Sequence, residues 1–279
     1  MTQQANTPIY DTLIVGAGIS GIGLGIRLKE AGFANFVILE KAADLGGTWR
    51  DNTYPGCACD VPSALYSYSF AQKPDWTRAF AGQAEILDYV RDTAERYDIP
   101  ASIRFNQAVE RAQWRESQNL WEVQTADQLY RARTVVACSG YLHEPIIPAI
   151  PGLENFAGKL FHSSRWDHEH DLTGERVAVV GTGASAIQFV PEIQPKTQHL
   201  TLFQRTPQWV LPKPDHSIPK IEENFFRLPF TLSAWRKMLY GGFETFGIGF
   251  RRPAILRQIQ KLGLAHLKVA IKDATLRAK

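Results

Sequence analysis

The chain is poor in cysteine, carries little excess charge and contains no long apolar run. Its three cysteines, Cys57, Cys59 and Cys138, among 279 residues are too few and too unevenly placed for a disulfide framework. That predicts a reducing compartment, the cytoplasm. A net charge of +3 lacks the basic excess of a nucleic-acid surface. No stretch approaches the roughly 20 apolar residues that cross a bilayer, so membrane association is not expected. The opening MTQQANTPIYD has neither the basic start nor the apolar core of a secretory leader. Short repeats are absent, and so is any obvious nucleophile, histidine and acid arrangement.

What is present is a long-period echo. The hydrophobic share of 44% is ample for a core, and the length suits one large domain or two. Ile9 to Val15 reads as a buried parallel strand and runs into Gly16-Ala17-Gly18-Ile19-Ser20-Gly21. A helical stretch, Ile22 to Ala31, and a second strand, Phe36 to Leu39, follow, ending at Glu40. Gly16 permits the tight turn, Gly18 lets backbone approach a pyrophosphate, and Gly21 lets the helix pack close to the strand. Amides at the helix N-terminus then face the phosphates. Glu40, 19 residues after Gly21, is placed to accept hydrogen bonds from a ribose. Gly23 and Gly25 weaken the helix by about 1 kcal/mol each, which close packing on the sheet would explain.

The pattern returns at Arg176 to Val180. This strand enters Gly181-Thr182-Gly183-Ala184-Ser185-Ala186, then a helix through Ile187 to Ile193 and a strand from Leu200 to Phe203. Ala186 replaces the third glycine, as the fingerprint permits. The second strand ends not on an acid but on Gln204-Arg205-Thr206. An arginine there pairs with the 2′-phosphate of NADP, which a glutamate would repel. The two units therefore ask for different nucleotides, FAD and NADPH.

Three further stretches resemble one family. Gly46-Gly47-Thr48-Trp49 precedes Tyr54-Pro55-Gly56, Cys59-Asp60 and Tyr66-Ser67-Tyr68-Ser69-Phe70. Phe156 to Asp167 matches FxGxxxHxxxW[PD] through Phe156, Gly158, His162, Trp166 and Asp167. Phe203-Gln204-Arg205-Thr206-Pro207 closes the second unit. Together they resemble the Baeyer–Villiger monooxygenases, within the wider flavin-containing monooxygenases, over nearly all of residues 9–214. The resemblance implies that Ser20, Glu40, Gly47, Thr48, Trp49, Asp60 and Tyr66 line the flavin, with Asp60 also near the nicotinamide. It implies that Thr182 to Ile187, with Arg205 and Thr206, cradle NADP. His162 and Trp166 match a linker that couples NADPH binding to closure.

The implied chemistry is hydride transfer from NADPH to FAD and capture of O2 as a flavin C4a-peroxide. Oxygen then enters a ketone, giving an ester or lactone, or a soft sulfur or nitrogen. A bound flavin supplies such chemistry while the protein supplies placement. Asp60 is the catalytic candidate, as a carboxylate able to orient a cation that stabilises a peroxyanion.

The implied fold is α/β. An FAD-binding domain occupies residues 1–147, a linker and NADP-binding Rossmann unit 148–215, and a helical insertion of the NADP domain 216–279. In the family the cation is an arginine of a later Lys-Arg pair. No matching pair is found, and Arg251-Arg252, before a proline in a helical region, is not carried over. Nor does the chain return to complete the FAD domain. This reads as the N-terminal part of a longer enzyme, truncated, split or partial, with a second polypeptide completing the FAD domain as one arrangement. An incomplete sheet predicts an unpaired edge, uncovered apolar surface, poor FAD retention and aggregation. A non-catalytic or NADPH-oxidising nucleotide-binding fragment stays open as the alternative.

The remaining features have plainer readings. His162, His168 and His170 with Asp167, Glu169 and Asp171 have HxH spacing, but a polar turn before a strand is the simpler reading, and no metal is expected. Cys57 and Cys59 sit too close for an unstrained disulfide, against a disulfide reductase. Phe225, Phe226, Phe230, Trp235, Tyr240, Phe243, Phe246 and Phe250 have broadly helical spacing. Burial on the nucleotide domain or a substrate-tunnel lining is preferred there to a membrane-surface helix. Residues 101–136 alternate like strands, and Val135 to Gly140 reads as the strand leaving the first sheet. Pro145, Pro148 and Pro151 mark a hinge-like linker.

Overall fold

The computed structural model describes residues 8–142, 144–249 and 251–277. The chain forms two compact units, each using two stretches of sequence. One comprises the described residues up to Tyr54 with Gln83–Asp167. The other comprises Pro55–Gly82 with the described residues from His168 onward.

The first unit is built on a six-stranded sheet. Its elements in chain order are β1 (Ile9–Val15), α1 (Ile19–Glu30), β2 (Phe36–Leu39), α2 (Thr48–Asp51), α3 (Gln83–Arg96), β3 (Ile103–Arg104), β4 (Val109–Arg115), β5 (Leu120–Thr125) and β6 (Leu129–Ala137). Spatial order is β3-β2-β1-β6-β5-β4. Strands β3, β2, β1 and β6 run parallel, whereas β4, β5 and β6 form an antiparallel meander. Every residue of β2 is buried, as expected of a parallel strand covered on both faces. Leu13, Ile14, Ile22, Ile26, Ile38, Leu39, Ile86 and Val90 form the fully buried centre. Beyond Ala132, β6 pairs with β1 on one side, and no described strand lies on the other.

Helix α1 begins at Ile19, earlier than its apolar periodicity suggests, because the last residues of the glycine motif form its first turn. A Cβ on Gly25 would lie 3.1 Å from Ile38 and 3.3 Å from Phe36, so the close packing expected there is present. The strand expected from Val135 starts at Leu129, because its first half also completes the meander with β5.

The second unit contains β7 (Arg176–Val180), α4 (Ala184–Ile193) and β8 (His199–Phe203), then α5 (Lys220–Phe226), α6 (Thr231–Gly249), α7 (Pro253–Ala270) and α8 (Ala274–Arg277). β7 and β8 make a two-stranded parallel sheet. Its apolar surface is only partly covered: Val180 is 63% and Phe203 55% exposed, while Phe189 and Ile193 of α4 are buried. Arg251 and Arg252 fall at the break between α6 and α7, where Pro253 takes the first helical position. Among the aromatics of this region, Phe226 is buried, and Phe225, Phe230, Tyr240 and Phe243 are exposed. The side chain of Phe246 and the whole of Phe250 lie outside the described residues, as do residues 1–7 of the opening segment. No described helix is long and apolar enough to cross a membrane.

Candidate functional site

In the first unit the protein itself shapes the glycine turn. Gly16 has φ +103° and donates its amide to Leu39 O at 2.7 Å, so the turn leaves β1 beside the end of β2. A Cβ on Gly16 would lie 2.6 Å from Cys138 O, and one on Gly21 only 1.9 Å from Gly16 O. Gly46 donates to Ala17 O at 2.9 Å, which brings the second glycine pair onto the first. A Cβ on Gly47 would stand 3.2 Å from Gly18 Cα. Ser20 falls in the first turn of α1, whose N-terminus has no side-chain cap.

Glu40 closes this loop. The buried carboxylate accepts the Ala17 amide on Oε2 at 2.8 Å and the Ala42 amide on Oε1 at 3.0 Å. Arg50 Nη1 adds 3.2 Å to the same Oε1. Burial pushes the Arg50 guanidinium down, but the Asp51 and Glu40 carboxylates outweigh it and its pKa is raised. Thr48 and the buried Trp49 lie on the short α2, beside Arg50. An open cleft of about 470 Å³ flanks this corner, lined by Lys41, Arg50, Asp51, Thr53, Arg165 and Trp166 among others.

The stretch Phe156 to Asp167 is tied to itself. His162 Nδ1 accepts the Ser164 amide at 3.1 Å, and Phe161 meets Trp166 edge-on at 5.2 Å. Lys159 pairs with Asp167, and a Cβ on Gly158 would strike the Phe156 ring at 2.6 Å.

The second glycine turn repeats the backbone geometry without the enclosure. Gly181 has φ +107° and donates to Phe203 O at 3.0 Å. A Cβ on Gly181 or Gly183 would meet nothing within 4 Å. Ala186, in the place of the third glycine, is buried, whereas Thr182 and Ser185 are half-buried and Gly183, Ala184 and Ile187 are more open. Arg205 and Thr206 follow β8 fully on the surface.

Asp60 belongs to this second unit, and the structure supplies it with a cation that sequence reasoning missed. Lys213 Nζ lies 3.2 Å from Asp60 Oδ1 and 2.9 Å from Cys59 O. Gln188 of α4 donates to the same Oδ1 at 3.2 Å and exchanges two hydrogen bonds with the Ala58 backbone. A Cβ on Gly56 would lie 2.8 Å from Gln188 O, so the loop rests directly on α4. Tyr66 sits in a turn, its amide on Pro62 O at 2.8 Å, and Arg236 of α6 caps the Ala64 and Leu65 carbonyls. The only sequence signal for Lys213 is a lone cation between two prolines, eight residues after Arg205. Gln188 looks like an ordinary helical residue.

The remaining candidates resolve locally. All three cysteines are free, and burial pushes the Cys59 thiol up to about 11. That is a packed thiol, not half of a poised redox pair. His170 pairs with Glu175 at 3.0 Å. Among the described residues no group of three or more His, Cys, Asp or Glu is arranged to hold a metal ion.

A family model described as pyridine nucleotide-disulphide oxidoreductase matches residues 13–233. The chain is 47% identical over 268 residues to a Baeyer-Villiger monooxygenase of Streptomyces coelicolor, covering 95% of this chain and 52% of that protein. It is 48% identical over 269 residues to a Baeyer-Villiger monooxygenase of Pseudomonas aeruginosa, covering 95% and 51%. The crystal structure of OTEMO in complex with FAD and NADP matches with a TM-score of 0.74 at 34% identity, over 80% of this chain and 44% of that one. The chain thus spans about half the length of the curated relatives it matches.

Proposed function

Because the chain belongs to the pyridine nucleotide-disulphide oxidoreductase family, and within it to the Baeyer–Villiger monooxygenases, we propose that it carries the FAD and NADPH sites of a flavin-dependent monooxygenase. The observation that carries this reading is the opposition of the two strand ends. One ends on the buried acid Glu40, the other on the exposed base Arg205. An acid at that point accepts ribose hydroxyls, and a base there reads a 2′-phosphate.

In this reading the FAD pyrophosphate lies along Gly16, Gly18, Ser20 and Gly21, where two glycine pairs leave backbone uncovered by any Cβ. Glu40 takes the ribose, and Gly47, Thr48, Trp49, Asp60 and Tyr66 line the flavin. Residues 1–147 are assigned to that domain. Gly181 to Ile187 hold the NADPH pyrophosphate, and the space in front of Gly181 and Gly183 suits it. Arg205 and Thr206 hold the 2′-phosphate. The NADP unit is assigned to residues 148–215, with the helical insertion at 216–279.

FAD, when bound, supplies hydride acceptance and oxygen activation. The chain's part is placement. α4 presents the nicotinamide nucleotide, and its Gln188 fixes Asp60, which orients the polar groups at the redox centre. The Phe156 to Asp167 stretch is a preformed element for coupling nucleotide binding to closure. The substrate class is a small ketone or a soft heteroatom, with O2 as co-substrate and no nucleic acid involved.

The test is product analysis on FAD-loaded protein supplied with NADPH, O2 and a panel of ketones and thioethers. Ester, lactone or sulfoxide formed in step with NADPH consumption supports the reading. NADPH oxidation yielding hydrogen peroxide alone supports a nucleotide-binding fragment that oxidises NADPH without oxygenating. Oxygenation appearing only with a second polypeptide would assign the chain to half of a split enzyme.

A further inference from the structure

The segment after Arg205 is pinned on both sides of the residue that reaches Asp60. Trp209 and Leu211 pack on Gly263 of α7, where a Cβ would touch both at 3.5 Å. Four residues after Leu211, Asp215 grips Arg78 at 2.7 and 3.1 Å and accepts the Phe80 amide at 3.2 Å. Ala79 donates to His216 O at 2.9 Å, and Ile218 to Thr77 O at 2.9 Å. Residues 77–81 are in turn fastened to the Asp60 loop, through Cys59 on Ala81 O at 3.0 Å and Ser63 on Ala79 O at 2.8 Å. Lys213 lies between the two pins, over the Phe80 ring at 4.9 Å from its centroid.

We propose that Lys213 is a positioning residue for Asp60, fixing the orientation of its carboxylate toward the nicotinamide nucleotide held by α4. The inference rests on the monooxygenase reading for what Asp60 faces. Lys213 and Gln188 both reach Oδ1, and Lys213 also holds the Cys59 carbonyl beside it. Oδ2 takes no hydrogen bond from any described residue, so the carboxylate is held by one oxygen and presents the other. An ammonium on a flexible stem spans carbonyl and carboxylate here because flanking prolines and the Asp215 grip restrict its origin. Arg205 lies eight residues upstream on the same run, so one segment carries both the proposed 2′-phosphate reader and the Asp60 clamp.

The experiment compares wild type, Lys213→Met, Lys213→Arg, Asp60→Asn and the Asp60→Asn/Lys213→Met double variant. In FAD-loaded protein, anaerobic flavin reduction by NADPH is expected to slow about tenfold in Lys213→Met and to recover within about threefold in Lys213→Arg. In the Asp60→Asn background, Lys213→Met should add less than about a twofold loss, because Lys213 acts through Asp60. Equal losses in both backgrounds, or no loss in Lys213→Met, would overturn the proposal. A second arm needs no cofactor: deuterium uptake over residues 59–63 of the chain as purified. Uptake should rise in Lys213→Met and stay near wild type in Lys213→Arg. Unchanged uptake in Lys213→Met overturns the clamp. A wild type that binds FAD and NADPH yet shows no hydride transfer between them, alone or with a completing polypeptide, overturns the monooxygenase reading instead, and the uptake arm still decides the clamp.

Discussion

The two glycine turns share a backbone and differ in everything around it. Gly16 and Gly181 have nearly the same φ, +103° and +107°, and each donates its amide to the last residue of the neighbouring strand. Around Gly16 and Gly21 the protein's own carbonyls fill the space a side chain would need. A Cβ on Gly181 or Gly183 would meet nothing within 4 Å, and only the positive φ of Gly181 favours glycine there. The strands follow suit, with β2 wholly buried and β8 nearly all exposed. A glycine motif can therefore be held by two agents. At Gly16 and Gly21 the fold requires glycine whether or not a nucleotide is bound, whereas a Cβ on Gly18 would make only an ordinary 3.8 Å contact with Gly47 Cα. In the second, a Cβ on Gly183 would meet nothing within 4 Å, so its glycine is assigned to the proposed nucleotide rather than to packing.

The largest expected effect would break this contrast outright. Gly21→Ala places a Cβ 1.9 Å from the Gly16 carbonyl and should cost at least about 3 kcal/mol in a denaturant melt. Gly183→Ala should leave the melt unchanged within about 0.5 kcal/mol while weakening nucleotide binding. Equal destabilisation by the two would end the distinction.

Glu40 and Arg205 sharpen it at the strand ends. Glu40→Gln disturbs a buried carboxylate with two amide donors and Arg50, and should cost about 1–3 kcal/mol and FAD retention together. Calorimetry with and without FAD measures both. Removing the exposed Arg205 should leave the melting temperature where it was.

The smallest effect concerns Cys59, the buried thiol next to Asp60. Burial raises its thiol from the ordinary 9.0 to about 11. Alkylation of Cys59 in the folded protein should be slow near pH 8 and accelerate toward pH 11. The unfolded chain loses this proton first, so the stabilisation is intact below about pH 9 and declines as pH rises from there to about 11. Rapid labelling at pH 8 would reopen the dithiol reading that the packing argues against.

Both strand-turn-helix-strand units were legible in the sequence because parallel strands make short apolar runs and the turn demands glycine at fixed spacing. β1, β2 and β7 fall where the apolar runs put them. Gly21 is forced by a contact within its own motif, and the acid-for-base exchange at Glu40 and Arg205 needs no tertiary knowledge. The partners of Asp60 were not legible. Lys213 is 153 residues away and Gln188 is 128, and neither residue type announces itself at its position. The division into units was equally hidden. Pro55–Gly82 joins the second unit through contacts with Gln188, Asp215 and Arg236 that leave no local periodicity.

On the proposed function, the open second turn reads a phosphate through Arg205. The most direct measurement is the ratio of NADP+ to NAD+ dissociation constants in wild type and Arg205→Ala. NADP+ should bind at least about tenfold more tightly in wild type, and the ratio should collapse toward one in the variant with its melting temperature unchanged. Equal binding of the two nucleotides by wild type, or a preference that survives the loss of Arg205, would contradict the account.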